Sequence, residues 1–130
     1  MNSLRSKPGP IAIVDDDEPL CEALGSLLKA AGFATDTFHS AEAFLGYSDW
    51  KTTSVLVLDV RLPGMSGIEL QRHISNLNCD IPIVFMTAHG DATLREVVLQ
   101  AGASAFLNKP VRSDALVTAI RAAIDTKANG

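Results

Sequence analysis

The sequence predicts an α/β fold, a five-stranded parallel sheet in the order 2-1-3-4-5 with helices on both faces. Three observations lead there. Short apolar runs alternate with longer helix-patterned stretches in five successive βα units, the pattern that builds a parallel sheet. The runs Ile11–Val14, Val55–Leu58 and Ile83–Met86 are apolar throughout, as strands buried on both faces must be. The run Ala34–Phe38 carries Thr35, Asp36 and Thr37, which suits a sheet edge. No sixth strand is present for the 3-2-1-4-5-6 alternative.

The elements follow in order. Lys7-Pro8-Gly9-Pro10 is a breaker cluster, so a flexible segment 1–10 is expected to precede a domain over 11–126. After Ile11–Val14, Leu20, Leu24, Leu27, Leu28 and Ala31 recur at helical spacing, with Pro19 in the first turn and Gly32 placed to end the helix. Beyond Ala34–Phe38, Ser40 can cap a short helix carrying Ala41, Phe44 and Leu45, ended by Gly46. Val55–Leu58 leads to a helix marked by Ile68, Leu70, Ile74 and Leu77. Ile83–Met86 leads to one capped by Asp91, with Leu94, Val97, Val98 and Ala101 on one stripe and Gly102 behind it. Ala105–Leu107 leads to a fifth helix, about 113–125, with Leu116, Val117, Ile120, Ala123 and Ile124 facing inward. The polar tail 127–130 is expected to be flexible.

Composition narrows the function. With 47% hydrophobic and 20% charged residues, the chain has the mix of a soluble globular domain. Its net charge of -4 and scattered basic residues argue against direct nucleic-acid binding by this chain, which needs Lys and Arg in a patch. Cys21 and Cys79 have no metal-ligand or redox spacing, so they read as reduced thiols in a cytoplasmic protein. No apolar run reaches the ~18–20 residues of a membrane span, and 1–10 opens no signal segment.

Ligands of open parallel sheets bind beyond the carboxyl ends of the strands. Asp15, Asp16 and Asp17 follow the first strand, Asp59 ends the third, Thr87 and Ala88 end the fourth, and Lys109-Pro110 follow the fifth. In the predicted order these groups converge. Carboxylates held close together need a cation, and oxygen ligands select a hard one such as Mg²⁺. Lys109 can pair with a phosphoryl oxygen, Thr87 can donate to another, and Asp59 can attack phosphorus in line. Taken singly, each group has a plainer use. Asp15–Asp17 could be a solvated loop, with Asp17 and Glu18 at a positive helix start. Asp59 could serve a turn, Thr87 a helix entry and Lys109 the surface. Their conjunction at four strand ends is what favours the chemistry.

Those segments resemble the receiver domain of two-component response regulators, over about Ile11 to Ile124. The matching motifs are Val14-Asp15-Asp16, the stretch Leu58-Asp59-Val60-Arg61-Leu62-Pro63-Gly64-Met65-Ser66-Gly67, Thr87-Ala88 and Lys109-Pro110. Ser40-Ala41-Glu42-Ala43-Phe44-Leu45 and Met86-Thr87-Ala88-His89-Gly90-Asp91 are similar to the nitrogen-fixation (FixJ-type) receiver group. The resemblance implies the flavodoxin/CheY-like arrangement, and Asp59 phosphorylated by a sensor histidine kinase or a phosphotransfer protein. It implies Mg²⁺ bound by Asp16, Asp59 and the Arg61 backbone carbonyl, with Asp15 acting through water. It further implies Lys109 on the phosphoryl group, a cis Lys109-Pro110 bond, and Thr87 with Phe106 as a switch pair. Such a domain is a phosphoprotein in signal transduction, its only catalysis being its own phosphoryl transfer and autodephosphorylation. Many of that group carry a DNA-binding domain after the receiver; this chain is either a stand-alone receiver or a shortened regulator. Phe106 stands where Tyr is common, so ring repacking is expected without a hydroxyl. Arg61 and His89, each two residues beyond a site residue, are candidates for setting the acyl-phosphate lifetime. A homodimer formed on phosphorylation is expected through the fourth helix, fifth strand and fifth helix, the face given to Arg95, Glu96, Arg112 and Arg121.

Three rivals remain at this level. Asp15-x-Asp17 after a strand resembles the opening of haloacid-dehalogenase-type phosphatases, in which Asp15 would carry phosphorus. Against it, Pro19 stands where Thr or Val is expected, and those enzymes are longer, with a cap. A receiver fold could also switch partners without phosphorylation. A flavin-binding domain lacks its phosphate-cradling loop here, since Asp15–Asp17 would repel the ligand.

Overall fold

A computed structural model describes residues 9–88 and 92–129. Its five strands are β1 (Ile11–Val14), β2 (Thr35–Phe38), β3 (Val55–Asp59), β4 (Ile83–Thr87) and β5 (Ala105–Asn108). They pair in parallel in the order β2-β1-β3-β4-β5, the predicted order, with the half-exposed β2 at an edge. The helices are α1 (Glu18–Ala30), α2 (Ala41–Gly46), α3 (Gly67–Asn76), α4 (Ala92–Gln100) and α5 (Ser113–Asn129).

Alternation along the strands divides the core in two, because successive side chains point to opposite faces. Ala12, Val14, Leu56, Leu58, Ile83 and Phe85 pack with residues of α2, α3 and α4. Ile11, Ile13, Val55, Val57, Val84 and Met86 pack with α1 and α5. Phe44 and Leu116 are fully enclosed, each contributing roughly 1.5–3 kcal/mol by leaving water.

Caps hold the helix starts. Asp17 accepts from the Leu20 N–H at 3.1 Å, and Ser40 from the Ala43 N–H at 3.0 Å. Ser66 and Glu69 form a reciprocal capping box on α3. The expected cap at Asp91 lies outside the described residues.

Several local expectations are corrected. α5 continues to Asn129, past the boundary near 125, and Lys127 Nζ donates to the Asp80 carbonyl. Leu77 keeps the helical spacing but caps α3 and is 47% exposed, because the chain turns away at Asn78 (φ 57°). Val97 and Ala101 also face outward, and only Val98 of that stripe is fully buried. Trp50 sits buried in an unforeseen 3₁₀ turn, Trp50–Thr52, against Phe44.

Candidate functional site

Asp15 leaves β1 held on all sides. Its N–H donates to the Phe38 carbonyl at 3.1 Å. Its Oδ1 accepts from the Asp17 N–H at 2.9 Å, and its Oδ2 from Lys109 Nζ at 2.7 Å. The carboxylate is 0% exposed. Asp59 is the last residue of β3. Its Oδ1 accepts from the Arg61 N–H at 3.3 Å, and its Oδ2 lies 3.5 Å from Lys109 Nζ. Asp16 is exposed beside them. Carboxylate oxygens of Asp15, Asp16 and Asp59 all lie within 4.8 Å of one another.

One ammonium therefore contacts two of the three grouped carboxylates. Burial pushes the Asp59 carboxyl above its ordinary range, the charge of Asp15 adds to the rise, and Lys109 and the Arg61 N–H oppose it. Burial works against the Lys109 ammonium, but the bond to Asp15 and the charges of Asp59 and Asp15 outweigh it and hold it protonated above its usual range. The donor set fits Mg²⁺: every ligand atom is a hard oxygen, and the negative charge exceeds what Lys109 offsets.

Thr87 ends β4 and is fully buried. Its carbonyl accepts from the Lys109 N–H at 2.7 Å, so β4 and the residue after β5 are joined at the site. The Lys109-Pro110 peptide is cis. Phe106 pairs in register with Phe85, and Thr87 with Asn108; Thr87 and Phe106 thus share a sheet face. That face looks toward α4, since Phe85 and Phe106 pack there with Leu94 and Val98. By the same alternation Asp59 belongs to the face covered by α1 and α5.

Gly67 sets how closely α3 approaches the site. A Cβ there would lie 2.3 Å from the Asp59 carbonyl oxygen and 3.0 Å from Val60 Cα, so only glycine lets the helix start against the end of β3. Arg61 projects into solvent; His89 lies outside the described residues. Arg121 does not join the α4–β5–α5 face. It stacks 5.1 Å over the Phe33 ring and donates to the Ala31 carbonyl at 3.4 Å, because its place on α5 points it at the α1–β2 turn.

Sequence reading missed one buried partner. The Cys21 thiol donates to the Asp15 carbonyl at 3.3 Å, and burial, then the charge of Asp15, pushes it up to about 11. It is a structural donor that stays protonated at neutral pH. Only its place on the inward stripe of α1 could have hinted at this.

Fold and site define a small parallel α/β domain whose strand ends gather carboxylates, a lysine and a threonine. Residues 11–121 match the response regulator receiver domain, and the chain belongs to that family, whose members receive signals in two-component systems. It is 39% identical over 124 residues to the response regulator protein TodT of Pseudomonas putida, covering 95% of this chain and 55% of that one. It is 40% identical over 113 residues to the transcriptional regulatory protein FixJ of Rhizobium meliloti, covering 87% of this chain and 55% of the relative. The crystal structure of FixJ-N superposes with a TM-score of 0.82 at 38% identity, over 92% of this chain and 96% of that one. The chain spans about half the length of the curated relatives it matches. Among the described residues no helix is long and apolar enough to cross a membrane.

Proposed function

We propose that residues 11–126 act as a cytoplasmic phospho-acceptor unit in which Asp59 takes a phosphoryl group from a sensor histidine kinase or phosphotransfer protein. The carrying observation is the grouping of Asp15, Asp16 and Asp59 within 4.8 Å, closed by Lys109 at 2.7 and 3.5 Å from two of them. An Asp59 carboxylate oxygen attacks phosphorus, the bond to the donor's imidazole nitrogen breaks, and an aspartyl phosphate results. Asp16 and Asp59, with the Arg61 carbonyl, would hold Mg²⁺ directly and Asp15 through water. When bound there, Mg²⁺ would supply positive charge to offset that of the phosphoryl group. Lys109 exchanges its bond to Asp59 for one to the phosphoryl group while staying on Asp15.

Access favours Asp59 over Asp15 as the nucleophile. The Asp15 side chain is sealed and bonded at both oxygens, whereas Asp59 keeps 8% of its side chain open. The chain is a signalling domain, with only its own phosphorylation and autodephosphorylation as catalysis. Thr87 turns toward the phosphate, Phe106 repacks, and the α4–β5–α5 face changes partners. A groove of about 660 Å³ between β5 and α5 lies on that face, lined by Ser104, Ala105, Thr118 and Ala122. Homodimerisation there on phosphorylation would use Arg95, Glu96 and Arg112.

Incubation with acetyl phosphate and Mg²⁺, read by intact mass, tests the assignment. Wild type should gain one phosphoryl group, as should Asp15→Asn at a reduced rate, and Asp59→Asn none. A label retained by Asp59→Asn overturns it. For assembly, sedimentation with beryllofluoride should show a dimer; an unchanged monomer mass removes that part.

A further inference from the structure

Glu42 belongs to α2, outside the acidic cluster, yet it reaches the loop that leaves Asp59. Its Oε2 accepts from the Met65 N–H at 2.8 Å across 23 residues of sequence. That bond, before any other influence, holds the Glu42 carboxyl below its usual range. The loop's ends are fastened separately. The Val60 N–H donates to the Met86 carbonyl at 3.0 Å, and the Gly67 N–H to the Val60 carbonyl at 2.9 Å. Between those ends the loop is tied to α2 by Glu42.

Gly64 is shaped for this tie in two ways. Its φ is +74°, a conformation side chains rarely adopt. A Cβ there would lie 2.6 Å from Glu42 Oε2, so any side chain would displace the carboxylate from the backbone it holds. An exposed bond of this kind contributes little to global stability. What it restricts is the path of the loop between Asp59 and α3.

Resting on the phospho-acceptor reading above, we propose that Glu42 is a positioning residue that fixes the β3–α3 loop, so that Asp59 and the Arg61 backbone remain aligned for the divalent ion and the phosphoryl group. Ligands held by a supported backbone lose less freedom on binding, and loss of such outer support weakens metal sites. The carboxylate's role is geometric, because the bond needs only an acceptor at that point. Glutamine, whose amide oxygen is an acceptor of the same reach, should therefore substitute.

The test uses the full chain with Glu42→Ala, Glu42→Gln and Gly64→Ala. Three quantities are measured: hydrogen exchange at the Met65 amide, Mg²⁺ affinity by calorimetry, and the acetyl phosphate labelling rate. In wild type and Glu42→Gln the Met65 amide should be protected. In Glu42→Ala and Gly64→Ala it should exchange freely, with Mg²⁺ affinity and labelling rate about three- to tenfold lower, while Glu42→Ala melts near the wild-type temperature. Wild-type Mg²⁺ affinity in Glu42→Ala, or Glu42→Gln as impaired as Glu42→Ala, overturns the proposal alone. A wild-type chain that neither binds Mg²⁺ nor takes a label overturns the site reading, and this proposal with it.

Discussion

Asp59 and Lys109 set opposite demands at the residue scale. A carboxyl whose folded pKa is raised favours the folded state below its unfolded value, and that support is lost as pH rises through the folded value. Asp59 is such a group, raised above 3.8 by burial and by Asp15. At neutral pH without a metal it is a destabilising charge. Asp59→Asn should therefore melt higher than wild type at pH 7 in a chelator, and the gap should close toward pH 3. Added Mg²⁺ should raise the wild-type melting point by mass action and narrow the same gap. An Asn variant melting below wild type at pH 7 would contradict this. Lys109 is also raised, above 10.5, through Asp15 and Asp59 after burial has worked against it; its support is present at neutral pH and is lost in strong alkali. Lys109→Ala leaves the sealed Asp15 without its cation and should cost on the order of 3 kcal/mol, measured by urea unfolding in a chelator. Mg²⁺ should recover part of the loss.

At the scale of elements, the junction between β3 and α3 is the most constrained. Gly67→Ala would drive a methyl into the Asp59 carbonyl at 2.3 Å, where backbone meets backbone and neither yields. The variant should lose about 1–3 kcal/mol and label more slowly, because α3 can only retreat by moving the end of β3. Unchanged melting and labelling would show that the helix start has slack. Much of this level is legible in the sequence. Runs such as Val55–Leu58 announce buried strands because parallel sheets covered on both faces need apolar side chains at every position. Ser40 and Ser66 announce helix starts through local capping. The grouping of Asp15, Asp16, Asp59 and Lys109 was legible because strand ends converge once the order is known. The Glu42–Met65 bond, the direction of Arg121 and the exposure of Leu77 were not. Each depends on where a helix sits relative to a turn of another segment, which spacing along one element does not encode. Leu77 keeps the apolar period, but Asn78 turns the chain before its side chain can face the core.

Across the whole molecule, the sheet puts the proposed acceptor and the proposed switch pair on opposite faces. Asp59 belongs to the face covered by α1 and α5, whereas Thr87 and Phe106 lie on the face that meets α4. In the proposed switch, a phosphoryl group on Asp59 would act on α4 through the strand ends, where the Thr87 carbonyl already accepts from the Lys109 N–H. Phe106→Ala should leave the labelling rate within about twofold, since the ring lies on the sheet face opposite Asp59, yet should uncouple the α4 face from labelling. Chemical-shift changes in α4 on beryllofluoride addition would read this out; undiminished changes in the variant would contradict it. The measurement that bears most directly on all of this is chemical mapping of the modified side chain. Borohydride reduces an aspartyl phosphate to homoserine, and peptide mass spectrometry then locates that residue. After labelling with acetyl phosphate and Mg²⁺, homoserine should appear at position 59 alone, and a chelator should abolish it. Homoserine at position 15 or 16, or labelling that persists without a divalent ion, would contradict the account.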